Sequence, residues 1–166
     1  MAEPFSIATG ALQVASAGIS LATTLYAFSS AVRDADKNVK AIASDVSLTA
    51  SVLRELGELL QQDIEEKLCS QNALQTAGKA LQECEGAFEE VNRAICGALK
   101  GDGSGRVSKL AKLMWPLKQD RMEMLRANLD RLKSTLVLML NVLSYARKLS
   151  PRSVGHYLVL VNRITN

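Results

Sequence analysis

Residues 5–30 read FSIATGALQVASAGISLATTLYAFSS and carry no charged side chain. The stretch is long enough to cross the hydrocarbon core of a bilayer, which needs about 20 apolar residues. It is also crowded with Ala, Gly, Ser and Thr, which dilute its hydrophobicity. Three interpretations follow: a permanent membrane span, a core helix of a soluble bundle, or a helix that moves between the two environments.

A helical projection sorts the side chains of this stretch by size and polarity. Two rows of large residues lie about 160° apart on the helix. The rows are Phe5, Leu12, Ile19 and Tyr26, and Ile7, Val14, Leu21 and Phe28. Between them lies a groove of small residues, namely Ala8, Ala11, Ala15, Gly18 and Ala22. Such a groove lets another helix approach closely, and the hydroxyl groups on the opposite side can bond to carbonyls of their own helix.

None of the three interpretations is excluded by this pattern. A permanent span is disfavoured by the Ser, Thr and Gln content and by the absence of Lys or Arg at the N-terminal flank. A soluble surface helix normally exposes charged residues, and this helix has none to expose. A conditional helix fits the pattern, because leaving water would not require it to bury a charge. We therefore expect the two bulky rows to form a membrane-inserting helix and the small residues to form its close-packing groove.

The rest of the chain predicts an all-α fold. Apolar residues step by three and four along 32–60, 74–95 and 122–146, as they do in helical bundles. We expect a single domain over residues 1–166, an antiparallel bundle of four long helices plus a short C-terminal helix. The first helix should span about 4–30 and the last long helix about 116–149, with a Gly-rich loop at 101–105. The turn 136–140, LVLML, is apolar on every side and should lie deepest.

Charge is divided unevenly along the chain. Residues 1–99 hold seven Lys or Arg and thirteen Asp or Glu, whereas residues 100–166 hold thirteen and four. The basic and acidic helices can pair within the bundle, or the basic part can face an anionic lipid surface. A candidate lipid-contacting patch consists of Lys109, Lys112, Trp115, Lys118 and Arg121. The indole of Trp115 suits either the end of a bundle or the headgroup region of a membrane.

No pattern points to catalysis, a cofactor or a metal. The chain has one His and three Cys without a C-x-x-C spacing, which favours a reducing, intracellular compartment. Cys84 falls on an apolar seam and should be a small buried hydrophobe. The 101–105 stretch lacks the Gly-Lys-Ser/Thr ending of a phosphate-binding loop. Basic residues are not interleaved with stacking aromatics, so we expect no nucleic-acid partner.

Two stretches resemble the N-terminal domain of fungal STAND (NOD-like) receptors. They are KLMWPLKQDRMEMLRANLDRLKSTLVLML at 112–140 and MAEPFSIATGALQVAS at 1–16, and the resemblance covers nearly the whole chain. It implies a HeLo-like bundle, similar to the four-helix executioner domain of the mixed-lineage kinase-like pseudokinase and to N-terminal domains of some plant resistance proteins. In such families a nucleotide-binding oligomerisation module follows, and the Gly/Ala-rich first helix, here Phe5 to Phe28, is the inserting segment.

The resemblance therefore implies a non-catalytic signalling or effector domain in fungal innate immunity. It would self-associate, target membranes with anionic lipids and act in programmed cell death or heterokaryon incompatibility. It would be cytoplasmic and conditionally membrane-associated. Only Glu3 supplies an acid near the first helix, so a pore with an acidic ring is not expected. The alternative is a protein–protein interaction or oligomerisation module without membrane activity.

Overall fold

The structure, a computed structural model, describes residues 3–31, 36–66, 69–99 and 119–148. It contains four helices, α1 (Pro4–Ala31), α2 (Asp36–Glu66), α3 (Gln71–Leu99) and α4 (Gln119–Lys148), and no strand within those ranges. The all-α prediction is confirmed for these residues. The Gly-rich loop at 101–105 and the expected short C-terminal helix lie outside them.

The starts of α1 and α3 follow from local chemistry. Pro4 occupies the first position of α1, where its fixed φ suits a helix and its missing N–H would have no helical partner. The backbone N–H groups of Ser6 and Ile7 donate to the carbonyl of Glu3 at 3.1 and 3.2 Å. Before α3, the Ser70 hydroxyl accepts the N–H of Ala73 at 3.2 Å, as an N-cap does.

Each helix packs mainly on two others. The helix α1 contacts α2 and α3, and α4 contacts the same two helices, so α1 and α4 occupy opposite corners. Between α1 and α2, facing residues run in opposite order, because Gly18 meets Ala50 whereas Gly57 meets Leu12.

Between α2 and α4, facing residues run in the same order. Asp45 pairs with Arg126, and Gln62 further along α2 accepts a hydrogen bond from Arg147. The four helices therefore stand at four corners. The helices α2 and α3, although consecutive in the chain, are not a main packing pair.

The core is aliphatic and follows the predicted seams. On α2, Val39, Ile42, Val46, Thr49, Leu53, Leu56 and Leu60 are all fully buried or nearly so. On α3, the buried seam consists of Leu74, Ala77, Leu81, Cys84, Phe88, Val91 and Ile95. On α4 the seam is buried from Met122 to Leu136 and then only partly buried at Met139 and Leu143. The periodicity of three and four thus identified the core-facing sides of α2, α3 and α4.

The LVLML turn of α4 is not the deepest part of the bundle. Leu136 is buried, but Val137 and Leu138 of the same turn are exposed. The prediction was wrong because α4 packs chiefly on two neighbours, α2 and α3, which cover one side of the helix. A turn that is apolar all round must then expose the side that no neighbour reaches.

The Cys84 side chain lies within the core, as its place on the seam predicted. Burial, and secondarily the nearby Glu83 carboxylate, raise the pKa of the Cys84 thiol from 9.0 to about 12. The thiol is therefore protonated throughout the neutral range, and its sulfur acts as an apolar packing atom.

Leu53→Ala and Leu132→Ala should each lower the free energy of unfolding by about 2–5 kcal/mol, from lost transfer energy and a residual cavity. The exposed Leu138→Ala is the matched control and should change it by no more than about 0.5 kcal/mol. Urea denaturation followed by circular dichroism measures all three. Losses below about 1 kcal/mol at both buried sites would show that the core lies elsewhere.

Cys84 should resist alkylation in the folded protein, because only the thiolate reacts and a pKa of about 12 leaves almost none at pH 8. The half-buried Cys96 is the internal comparison. Iodoacetamide labelling followed by mass spectrometry should modify Cys84 only after denaturation. Because folding raises this pKa, the contribution of the protonated thiol to the free energy of unfolding is complete below pH 9. That contribution is lost as the pH rises towards 12. Labelling of Cys84 as fast as Cys96 would contradict the buried assignment.

Candidate functional site

The helix α1 is the candidate site, and its two bulky rows have different surroundings. Ile7, Leu21 and Phe28 of one row are buried in the core, and Val14 packs against it. The other row faces outward, since Phe5, Ile19 and Tyr26 are 41% to 62% exposed. Its fourth member, Leu12, is half-buried against α2. The docked helix therefore keeps part of its apolar surface in contact with solvent.

The groove of small residues on α1 faces the interior of the bundle. Ala8, Ala11, Ala15, Gly18 and Ala22 are all buried. A β-carbon added to Gly18 would lie 2.9 Å from the β-carbon of Ala50 and 2.6 Å from Cε2 of Phe88. These distances are shorter than side-chain carbons tolerate, so glycine is required where α1, α2 and α3 meet.

The residues of α2 that fit this groove were not identified from the sequence. A β-carbon on Gly57 would lie 2.9 Å from Cγ of Leu12 and 3.1 Å from the carbonyl oxygen of Ala8. Ala43, Ala50 and Gly57 recur every seven residues, and both alanines are fully buried. That recurrence was the available signal, but it lies beside the larger residues of the α2 seam, which dominated the pattern.

Most hydroxyl groups of α1 bond to carbonyls three or four residues earlier in the chain. Thr9 Oγ1 donates to the carbonyl of Phe5 at 2.9 Å, and Thr23 Oγ1 donates to that of Ile19 at 3.0 Å. Equivalent bonds of 2.7–3.1 Å are made by Ser6, Ser20, Thr24, Ser29 and Ser30. These side chains therefore have a hydrogen-bond partner that does not depend on water.

Within the described residues, α1 is the helix that is long and apolar enough to cross a membrane. The qualifying segment is Pro4–Ser30, and 44% of its most apolar window is buried inside the bundle. At about 1.5 Å per residue its 27 residues extend about 40 Å, against about 30 Å of hydrocarbon. Length and composition permit a span, although a core helix of a soluble protein meets the same criterion.

A separate cleft, with a volume of about 820 Å³, lies between α1 and α3 along much of their length. Its walls carry hydroxyl, amide and carboxylate groups, including Ser20, Gln13 and Glu85, above apolar side chains such as Val14. The contact of α1 with α3 is therefore looser than the close contact with α2. In residues 3–31, 36–66, 69–99 and 119–148, no group of three or more His, Cys, Asp or Glu is placed to hold a metal ion.

Several cations of α4 pair with acids, either on another helix or on α4 itself. Arg126 Nε lies 3.0 Å from the mostly buried carboxylate of Asp45, and Arg131 lies 2.8 Å from Glu83. Lys133 lies 2.5 Å from Asp130, and this hydrogen bond holds the pKa of Asp130 below its ordinary value. These cations from the basic C-terminal part of the chain therefore pair with acids within the bundle.

The predicted basic and aromatic patch lies almost entirely outside the residues that the structure describes. Lys109, Lys112, Trp115 and Lys118 lie outside the described residues. The backbone of Arg121 belongs to α4, but its side chain is not among the described parts. The patch therefore stays a prediction.

Comparisons with known proteins returned no match: no family model, no curated protein and no solved structure matches the chain. The resemblance to fungal receptor domains accordingly rests on the residues at 1–16 and 112–140 alone. The function must be argued from the geometry of α1 and its neighbours.

Gly18→Ala should destabilise the bundle by about 1–3 kcal/mol, because its β-carbon would overlap Ala50 and Phe88. Gly78→Ala is the matched control on α3, since a β-carbon there meets nothing within 4 Å. It should stabilise by about 0.5–1 kcal/mol through helix propensity. Thermal or urea unfolding measures both changes. A neutral or stabilising Gly18→Ala would show that α1 and α2 are further apart than described.

Proposed function

We propose that this chain is a non-catalytic effector domain whose first helix leaves the bundle and enters a membrane after self-association. The setting is programmed cell death or heterokaryon incompatibility, as the resemblance to fungal STAND receptors implies. The observation that carries the proposal is the chemistry of α1, which combines spanning length, no charge and hydroxyls bonded to their own helix.

The hydroxyl bonds lower the barrier to insertion. A polar group without a partner costs several kcal/mol in hydrocarbon, and only internally satisfied segments span a bilayer. Thr9, Ser20, Thr23 and Thr24 already make their bonds within α1 in the docked state. These bonds can move with the helix, so transfer of α1 does not strand these donors.

The outward row of α1 is an apolar surface that can contact lipid as the helix inserts. Phe5 and Tyr26 mark its ends, and both rings are exposed while the helix is docked. They are separated by 21 residues, which is about 32 Å along a helix and close to the thickness of the hydrocarbon core. A tyrosine at one end suits the headgroup boundary, where tyrosines are enriched.

Self-association supplies a second use for the groove of small residues. In the bundle, Ala8, Ala11, Ala15 and Gly18 are buried, and Ala8 and Gly18 lie at the contact with α2. After release, the same surface can pack against another copy of α1, since small residues allow close approach within a bilayer. A downstream nucleotide-binding module would bring copies together. We therefore propose a cytoplasmic up-and-down bundle that associates conditionally with anionic membranes.

A second candidate function is an interaction or oligomerisation module without membrane activity. It is favoured by the depth at which α1 is held, because Ile7, Leu21 and Phe28 belong to the central core. In that case α1 never leaves, and its apolar character reflects only its place in the fold.

Ser16→Glu separates the two functions. Ser16 is exposed on the docked helix, so the variant should keep the melting temperature of the parent. Near the middle of an inserted helix, a carboxylate costs about 2.5–3.5 kcal/mol on insertion scales. We expect the parent to release dye from anionic vesicles and the variant to lose this activity.

Gln75→Glu is the matched control, because it adds the same charge at an exposed position of α3. It should leave both the melting temperature and the leakage unchanged. A folded, fully active Ser16→Glu protein would show that α1 does not enter lipid along that face, and the interaction module would become the leading function.

A further inference from the structure

The C-terminal half of α4 presents an apolar row to solvent, which we call the α4 ridge and define as Leu138, Val142 and Tyr145. The three side chains are 60% to 65% exposed. Their spacing of four and three residues places them on one face of the helix. Large apolar residues that are exposed singly are ordinary, but an exposed contiguous row marks an interaction surface.

The ridge continues into apolar hollows on both sides. One hollow, of about 640 Å³, lies between α2 and α4 and is lined mostly by apolar surface such as that of Leu48, Val52 and Leu138, with Glu55 and Lys133 also in its wall. The other, of about 220 Å³, is lined by Ala73 and Ala77 of α3 together with ridge residues. The exposed apolar surface is therefore wider than the three ridge side chains alone.

From Arg131 onward the charges of α4 have one sign, although Lys133 pairs with Asp130 and Glu55 of α2 lines the hollow beside Leu138. Residues 131–148 contain four Lys or Arg and no Asp or Glu. Arg131 lies seven residues before Leu138 and Lys148 three residues after Tyr145, so an exposed cation bounds the face at each end. Arg131 also pairs with Glu83 at the surface of the bundle, in an exposed and therefore weak ion pair.

An apolar row bounded by cations fits an anionic lipid surface. A helix that lies flat in the interface buries its aliphatic side chains at the acyl boundary and directs Lys and Arg to headgroup phosphates. A tyrosine within the row suits the same depth. The arrangement of Leu138, Val142 and Tyr145 between Arg131 and Lys148 follows this order.

We propose that the α4 ridge docks the closed bundle onto an anionic membrane before α1 leaves its place. The inference rests on the proposed function only in taking the target to be a membrane. The helices α1 and α4 occupy opposite corners of the bundle, and their exposed apolar rows are separate. Docking through α4 therefore does not require α1 to move, and the two steps can be separated by mutation.

The test is sedimentation of the whole chain with phosphatidylcholine vesicles, with and without phosphatidylserine. The double variant Leu138→Asn with Val142→Asn should bind phosphatidylserine vesicles at least about tenfold more weakly than the parent. Met124→Asn is the comparison variant, because Met124 is 73% exposed on a similar face of the same helix but lies 14 residues, about 21 Å, before the ridge. It should bind like the parent, and circular dichroism should show the parental fold for both variants.

Lys148→Glu tests the electrostatic part without altering the apolar row. We expect it to weaken binding by about tenfold at low salt and to reduce the salt dependence. Equal binding of the parent to neutral and anionic vesicles would overturn the proposal. So would equal effects of the ridge and Met124 variants, or a self-association measured by sedimentation that the ridge variant abolishes.

The two proposals fail in different ways. If the ridge variant releases dye from vesicles at the parental rate while Ser16→Glu does not, the ridge proposal fails and the proposed insertion of α1 stands. If the parent binds through the ridge but never causes leakage, the proposed function fails and the ridge proposal stands.

Discussion

The close contact between α1 and α2 is the constraint on which the rest of the bundle depends. Gly18 lies where three helices meet, with Ala50 on one side and Phe88 on the other, and no β-carbon fits there. Gly57 makes a similar approach to Leu12. Because these helix surfaces are made of Ala and Gly, the backbones come near enough for dispersion contacts to replace large interlocking side chains.

The same contact bears on the proposal that α1 can leave the bundle for a membrane. A helix held by small residues needs no ion pair and no long side chain to dock, and α1 has no charge between Pro4 and Ala31. Most of its hydroxyls donate to carbonyls within the same helix and so do not depend on water for a partner. Because a cleft separates part of α1 from α3, α1 is packed closely along its α2 side only. These features form the physical basis for the proposed release.

The opposite corner of the bundle shows what a four-cornered arrangement leaves uncovered. The helix α4 buries Leu129, Leu132 and Leu136 but is apolar on more of its circumference than α2 and α3 can cover. Leu138 and Val142 consequently remain outside. On the side of α4 that faces α2, the Asp45 carboxylate forms ion pairs with Arg126 at 3.0 Å and Lys133 at 4.0 Å. Some of the cations of α4 therefore link it to α2.

The sequence alone determined the helical class, the core-facing seams and the absence of charge on the first helix, because all three are local or periodic properties of the chain. Val39, Leu53 and Leu129 could be placed in the core from spacing alone. Only the tertiary structure decided which row of α1 is buried, since both rows are equally apolar and the choice depends on where α2 and α3 lie. It also decided that Ala50 and Gly57 receive α1, and that Leu138 is exposed in a turn that spacing placed deepest. These outcomes depend on how many neighbours a helix has and how near they come, and periodicity within one helix carries no information about either.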